Sequence, residues 1–522
     1  MKKQFFIALV LIFIFNAAAA QEVNVNMGPE FMAAKRSTLS GIIGYDQTGY
    51  YVLQSKLRGL NPQTMLAHFD NQLSLTKQVE LSPSYEGKEL IVESIVYMDG
   101  KIYLFTSFKN HKLGKKFLFY QTVNKSTLTP NNDLKKIEEI ELNKSKDGDY
   151  WFTTSKDTSK ILCIKNLPND KDEPESFGIK VFDSKMQLLW EKSVELPYAE
   201  KLFDISKYIM SNEGHVYILG RLYEGKAKET RKGKVNYQYK IFAYNRDKSE
   251  KEITVSLGDK YITDLQMGIS DAGEFICSGF YSNMGTHSID GTYFLKIDPK
   301  NNKVLSRHAK EFPTDFLTQY VTEKEAKKIE KQEQKGKDFE LYEYDLDELI
   351  VREDGGAYLI GEQYYVRVVT TTYSTGNGGY STRTTYYYNY HDIIVISFNR
   401  DGSIEWCEKV PKRQVSTNDG GFYSSYVRAL YNDRLYFIFN DHIDNLQSWS
   451  TGKLKNYTAG QNGVVTLVSL TREGKQNRTM LYKAKDIETI TVPKVCEQIS
   501  KNELIIYGQK KKTHQFSRVV FK

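Results

Sequence analysis

The stretch Asp354-Gly355-Gly356-Ala357-Tyr358-Leu359-Ile360-Gly361, resumed at Asp392-Ile393-Ile394-Val395-Ile396-Ser397-Phe398-Asn399-Arg400-Asp401-Gly402-Ser403-Ile404-Glu405-Trp406, decides how this chain is read. It runs turn, apolar strand closed by glycine, loop, second apolar strand, Asn/Asp-Gly turn, third strand. Asp and Gly clusters between β-prone runs are turn signals with a backbone mechanism. Looser copies recur about every 50–80 residues, and self-similarity at such a period marks a radial array of small sheets. The expected fold class is therefore all-β: a single β-propeller whose blades are four-stranded antiparallel sheets.

Working outward, the second strand of each repeat is the easiest to locate. Copies lie at 50–53, 102–105, 161–164, 216–220, 275–279, 357–361, 435–438 and 504–508. Eight blades follow, or seven if the weak third repeat, 150–196, is something else. The last repeat ends at Lys522 after its third strand, and a sheet short of a strand leaves an open edge. The stretch 30–42 is the expected donor, closing the ring by pairing the N- and C-terminal strands.

The repeat resembles those of exported β-propeller proteins of Bacteroidota, with the form DGxxYLxG followed by a strand ending DxxGxxxW. The matching positions are turn glycines, turn aspartates and core apolar residues over most of the chain. The resemblance implies a binding or scaffold module and carries no catalytic residue.

At the N-terminus, Lys2 and Lys3 precede an eleven-residue apolar run, 5–15, and Ala18-Ala19-Ala20 before Gln21. A bilayer span needs about 20 apolar residues, so this reads as a cleaved signal peptide over 1–20, with 21–522 as the propeller domain. A periplasmic or outer-membrane-associated protein without membrane insertion is expected, the extracellular surface being the alternative. The 72 Lys and Arg against 65 Asp and Glu give +7, and loss of Lys2 and Lys3 leaves +5. No concentrated basic stripe is present, which argues against nucleic-acid binding. Cys163, Cys277, Cys407 and Cys496 fall in different repeats and are read as free buried thiols.

What is particular to the chain lies in its insertions: a basic loop at 221–236, a helical insertion at 318–345, a tyrosine-rich hairpin at 362–391 and a loop at 441–463. Loops between second and third strands share one face of a propeller with the connections from blade to blade, so all four fall on that face. Thr322-Glu323-Lys324-Glu325 is a capping box, predicting a solvated helix from Glu323 to about Lys335. The hairpin carries Tyr364, Tyr365, Tyr373, Tyr380, Arg383, Tyr386, Tyr387, Tyr388 and Tyr390, with Gly376-Asn377-Gly378-Gly379 at its middle. Asn-Gly between β-prone runs predicts a hairpin turn, and two arms of about fourteen residues would reach roughly 45 Å. Tyrosine offers amphipathic contact area at low entropy cost, so these residues are candidate partner contacts; packing on the protein's own face is the alternative. Trp449 and Tyr457 are the candidates in the 441–463 loop, where a sugar could stack or the Trp could pin its own loop.

No nucleophile elbow, zinc-protease helix, phosphate loop or Cys-x-x-Cys pair occurs, so no metal, cofactor or catalytic residue is assigned. His391-Asp392, Asp441-His442 and the acid pair Asp345/Asp347 are the only groupings to watch. The expected function is a non-catalytic binding or scaffold propeller of the cell envelope engaging a protein partner, with a glycan as the other ligand class. The alternatives are a hydrolytic, carbohydrate-active propeller with a site at the channel mouth, and a surface adhesion module.

Overall fold

The computed structural model describes residues 23–33, 37–58, 61–142, 147–168, 170–226, 230–231, 234–247, 249–283, 289–301, 303–313, 316, 319–320, 327, 343–375, 379–458 and 461–522. The 1–20 segment read as a signal peptide and the helix predicted for 323–335, apart from Lys327, lie outside them. No helix among the described residues is long and apolar enough to cross a membrane.

Among the described residues eight antiparallel meanders follow one another along the chain, and we number them sheets 1 to 8, their first strands beginning at Ser37, Ile91, Asp149, Phe203, Tyr261, Tyr344, Val427 and Ile490. Sheet 1 comprises Ser37–Asp46, Gly49–Arg58, Asn61–Phe69 and Leu75–Glu80. The third repeat, weakest in sequence, forms a full sheet from Asp149–Thr154, Lys160–Asn166, Pro174–Asp183 and Leu188–Ala199. Tight turns join first strands to second. At Asp99-Gly100, φ is 50° and 72°, the left-handed pair that matches the twist of a two-residue hairpin. Second strands such as Lys101–Asn110 bury Ile102 to Phe105 on both faces, which explains why they read as continuous apolar runs.

The sheets meet face to face through apolar clusters. Tyr51 and Leu66 of sheet 1 pack with Ile102 and Leu104 of sheet 2; Leu219 and Ile241 of sheet 4 pack with Cys277 and Leu295 of sheet 5. Similar clusters join each further neighbour to the next. One more joins Ile505, Tyr507 and Phe516 of sheet 8 to Tyr50, Val52 and Phe69 of sheet 1. No sheet can hide both faces alone, so each depends on its neighbours.

Sheet 8 takes its outer strand from the other end of the chain. Val23–Met32 pairs antiparallel with Thr513–Phe521, from Val23 opposite Phe521 to Met32 opposite Thr513. The donor is thus Val23–Met32: of the expected stretch 30–42 only 30–32 belongs to it, and 37–42 lies in the inner strand of sheet 1. Alternation explains the difference: 37–46 supplies the apolar Leu39 and Ile42 that sheet 1 packs against sheet 8. The inner strand of sheet 8 is broken into Ile490–Thr491 and Glu497–Gln498 by a turn at Pro493–Val495. There the Cys496 sulfur accepts the Tyr507 N–H at 3.2 Å in place of a ladder bond. All four cysteines are free; Cys163 and Cys277 are buried, while Cys407 and Cys496 are only partly so.

Candidate functional site

The hairpin is an extension of sheet 6. Its second and third strands, Ala357–Ser374 and Tyr380–Phe398, continue past the disc, pairing eleven further residues from Tyr364–Tyr390 to Ser374–Tyr380. The Asn377-Gly378 tip lies outside the described residues; just below it the Thr375 N–H donates to the Gly379 carbonyl at 2.9 Å. Eleven pairs at ~3.3 Å give roughly 36 Å of ribbon, shorter than the reach expected from sequence because the first loop residues still belong to the disc.

Register sorts the tyrosines, because directly opposed residues share a face. Tyr364/Tyr390, Val366/Tyr388, Val368/Tyr386, Thr370/Thr384, Thr372/Thr382 and Ser374/Tyr380 form one face without a charge. Arg367/Tyr387, Thr371/Arg383 and Tyr373/Ser381 lie on the other, with Tyr365 and Asn389 at its base. Away from the disc the uncharged face is open to solvent: Val368 is 53%, Tyr386 44% and Tyr380 81% exposed. On the opposite face Tyr373 is exposed, and the Arg367 guanidinium lies over the Tyr387 ring at 4.8 Å.

The base of the ribbon is anchored. Gln414–Thr417, from the connection between sheets 6 and 7, pairs with Tyr387–Tyr390 as an added strand. The Tyr364 and Tyr390 rings pack together tilted by 38°, with centroids 4.6 Å apart. The Lys494 ammonium caps the Tyr390 ring at 4.4 Å and donates to the Tyr390 hydroxyl at 2.8 Å. Beneath them Lys412, with no exposed side chain, donates to Glu362 Oε1 at 2.5 Å, the Tyr390 carbonyl at 3.1 Å and Gln414 Oε1 at 3.2 Å. Ser425 donates to the other Glu362 oxygen at 2.7 Å. A buried ion pair is tolerated only with its remaining valences filled, and here they are. The ribbon is therefore rooted on the protein's own surface through its disc-proximal tyrosines, while its distal ones are exposed to solvent.

Toward the axis, the inner strands carry a recurring irregularity. In sheets 1, 2, 4, 5 and 6 residues bulge out of the pairing: Ser40 and Ile43 in sheet 1, then Glu93, Ser206, Thr263 and Asp347. A bulge redirects a side chain and interrupts pairing. Asp347 looks into a cleft of about 400 Å³ between sheets 6, 7 and 8, lined also by Glu348, Tyr426, Arg428, Lys494 and Glu497. The Tyr426 hydroxyl donates to Asp347 Oδ2 at 2.5 Å. Arg428 holds Glu348 with two hydrogen bonds, Nε to Oε2 at 2.6 Å and Nη2 to Oε1.

Asp347 touches water while protein encloses it at longer range. That loss of hydration, reinforced by Glu362 and Asp345 and opposed by the Tyr426 hydrogen bond and Lys412, moves its carboxyl up to about 7. The folded protein thus keeps this proton where the unfolded chain releases it. Its contribution to stability is complete below about pH 4 and is lost as pH rises through 7. Asp347→Asn, which retains the neutral shape, is expected to match the parent near pH 4 and to exceed its stability near pH 8. Denaturant midpoints at both pH values check this; equal midpoints at pH 8 would show an ordinary carboxylate.

The remaining sequence candidates are placed as follows. Trp449 packs on Tyr320 at 5.9 Å and beneath the Arg478 guanidinium at 5.7 Å, pinning its own loop. Tyr457 has a buried phenol whose oxygen lacks a hydrogen-bond partner among the described residues, and its N–H donates to the Arg413 carbonyl at 3.0 Å. Asp441 pairs with buried Arg478 at 3.3 Å and accepts from Asn445 at 2.6 Å, a structural network. His391 is half-buried beside Tyr365, with burial pushing its imidazole down to about 4. Arg221, of the basic loop, pairs with Asp204 at 2.7 Å. Sequence reasoning missed Lys412, Gln414, Tyr426 and Lys494: the first three lie in the connection between sheets 6 and 7 and Lys494 in the turn that breaks the inner strand of sheet 8, none with a motif, and only spatial convergence reveals them.

No family model matches the chain, and no curated protein matches its sequence. Among solved structures it is similar to the β-propeller domain of the Trilobed protease from Pyrococcus furiosus, at 10% identity over 87% of this chain and 98% of that one, with a TM-score of 0.36. It is also similar to an acylaminoacyl peptidase from Pyrococcus horikoshii, at 10% identity, 91% and 58% coverage and a TM-score of 0.34, so the chain spans 58% of that protein. A lignostilbene dioxygenase from Pseudomonas brassicacearum aligns at 8% identity, 95% and 94% coverage and a TM-score of 0.32. Likenesses this weak leave those activities with those proteins. What this chain's own consecutive meanders establish is an all-β molecule of propeller architecture.

Proposed function

We propose that the eight sheets form one closed eight-bladed ring, and that the protein is an exported envelope propeller that binds a protein partner through its ribbon. The observation that carries this reading is the sorted register: a projecting ribbon with a charge-free face of valine, threonine and tyrosine. Tyrosine is enriched at interfaces, where aromatic anchors supply much of the binding energy. Net charge on the ribbon is confined to Arg367 and Arg383 on the opposite face, so the uncharged face can be dried without stranding an ion.

The test is affinity purification of the tagged protein from mildly solubilised envelopes, with residues 366–388 intact or replaced by a two-residue turn. The intact protein is expected to retain partners that the shortened one loses, with equal yields of folded protein. Identical partner sets would remove the ribbon from the binding function.

A hydrolytic activity is the second reading, supported by Asp347 in its cleft: a carboxyl held near neutrality beside a tyrosine hydroxyl is suited to proton transfer. A glycosidase and esterase substrate panel, run against the parent and Asp347→Asn, decides it. Turnover by the parent that Asp347→Asn abolishes would establish this reading in place of the first.

A further inference from the structure

The ribbon has two edges, and among the described residues a strand is added to only one of them. Along Tyr380–Phe398 the added strand Gln414–Thr417 covers residues 387–390. The Asn418 side chain accepts the Tyr386 N–H at 2.9 Å, while the Asn418 N–H donates to the Tyr386 carbonyl at 3.0 Å. Along Ala357–Ser374 the neighbouring strand Tyr344–Val351 reaches only Gln363, and one further bond runs from the Tyr364 N–H to the Glu343 carbonyl at 2.8 Å.

Which backbone groups are left over follows from the ladder. In antiparallel pairing a residue's N–H and C=O point the same way, and successive residues alternate. Tyr364 points outward to Glu343, whereas Thr375 points inward to Gly379. The even-numbered residues between them, Val366, Val368, Thr370, Thr372 and Ser374, therefore present N–H and C=O groups away from the ribbon, where no described strand pairs with them.

Edges of this kind are normally blunted by Pro, Lys, inward charges or a bulge. The run Val366-Arg367-Val368-Val369-Thr370-Thr371-Thr372 has no Pro, Lys or bulge and a single charge, and it is rich in β-branched residues that favour a pleated strand. Its one charge, Arg367, has no carboxylate partner among the described residues.

We infer that this edge is a strand-addition site, taking an extended segment of a second protein in which apolar β-branched residues alternate with an acidic residue that meets Arg367. This rests on the reading of the ribbon as the partner-binding element and specifies how it binds. Main-chain hydrogen bonds to the outward residues hold the segment, and alternate side chains give specificity. One set of its side chains lies over Val366 and Val368 on the uncharged face; the other places its carboxylate beside Arg367. The strand Gln414–Thr417, docked on the opposite edge, is a structural precedent within the same molecule.

The chain's own 337–343, Lys-Asp-Phe-Glu-Leu-Tyr-Glu, has a related alternation in sequence, and 337–342 lies outside the described residues. It is the competitor the experiment must separate. The probe is a soluble synthetic peptide of alternating valine and threonine with a central glutamate, alongside the same peptide N-methylated on alternate amides. Binding to the full chain is measured by fluorescence anisotropy, and hydrogen exchange is followed over 364–375.

The unmethylated peptide is expected to bind and to slow exchange at residues 366–374. N-methylation is expected to weaken it roughly tenfold or more, as the loss of one or two net backbone hydrogen bonds requires. Val368→Pro removes only an outward N–H, leaving ribbon pairing intact, and is expected to weaken the peptide as much. Failure of the glutamate peptide to bind, or equal binding by its methylated form, overturns the inference. So does slow exchange at 366–374 in the free protein that becomes fast on Phe339→Ser/Leu341→Ser, because the edge would then belong to the chain itself. If shortening the ribbon abolishes partner capture while Val368→Pro leaves it unchanged, strand addition is wrong and the ribbon reading stands.

Discussion

Lys412→Ala is expected to destabilise the protein by about 3–5 kcal/mol, the scale set by removing one member of a buried ion pair. Lys412 has no solvent-exposed side chain, and Glu362, its partner at 2.5 Å, is only 5% exposed. Without the ammonium, the Glu362 carboxylate keeps Ser425 and loses its counter-charge. The Tyr390 carbonyl and the Gln414 amide oxygen also lose the lysine proton each accepts. Since Glu362 stands at the root of the ribbon and Gln414 begins the strand that covers it, the local effect should be early exchange of the ribbon-base amides. The double variant Lys412→Met/Glu362→Leu is expected to recover most of the loss, because an apolar pair leaves no charge stranded. A single-variant shift under about 1 kcal/mol in denaturant unfolding would mean that water reaches the pair.

Deleting residues 23–32 is expected to have an effect of similar or greater size. It uncovers the Thr513–Phe521 edge and removes Val23, Val25 and Phe31 from the cores that sheet 8 shares with its neighbours. Burial of three such side chains amounts to on the order of 5 kcal/mol, and an uncovered edge pairs with other molecules. The deletion should give oligomers on size-exclusion chromatography and a lower denaturant midpoint. Restoring the strand by linking its sequence after Lys522 is expected to return the parent's elution volume, because pairing depends on the strand and not on which end supplies it. A deletion variant with unchanged elution and stability would show that the fold does not depend on this strand pairing.

Within the site, legibility tracked the kind of information each residue carries. The tyrosine hairpin was visible because β-prone runs flank an Asn-Gly turn, and local backbone preference suffices to extend two strands. That the tyrosines divide between two faces was not visible, because a bulge at Gln363, between Glu362 and Tyr364, sets the register. A one-residue slip exchanges the faces. Lys412 and Lys494 looked like any surface lysine: burial of a cation is decided by what converges on it from distant segments. In the sequence Asp347 is only one of a pair with Asp345; its elevated proton affinity comes from the loss of hydration where the bulge turns it into the cleft, with Glu362 and Asp345 adding to it and the hydrogen bond from Tyr426, 79 residues away, opposing it.

By itself the sequence determined the blades: turn glycines, turn aspartates and doubly buried second strands are local features, and they recur because each sheet solves the same packing problem. It also marked where the pattern is interrupted. The partners of each interruption were decided only by the tertiary structure, which laid Val23–Met32 beside Thr513–Phe521 across nearly the whole chain and placed Lys412 under the ribbon. It also left the Val366–Ser374 edge without a described strand beside it. Pairing and burial between remote segments depend on geometry summed over all eight sheets, and no local stretch of sequence contains that sum.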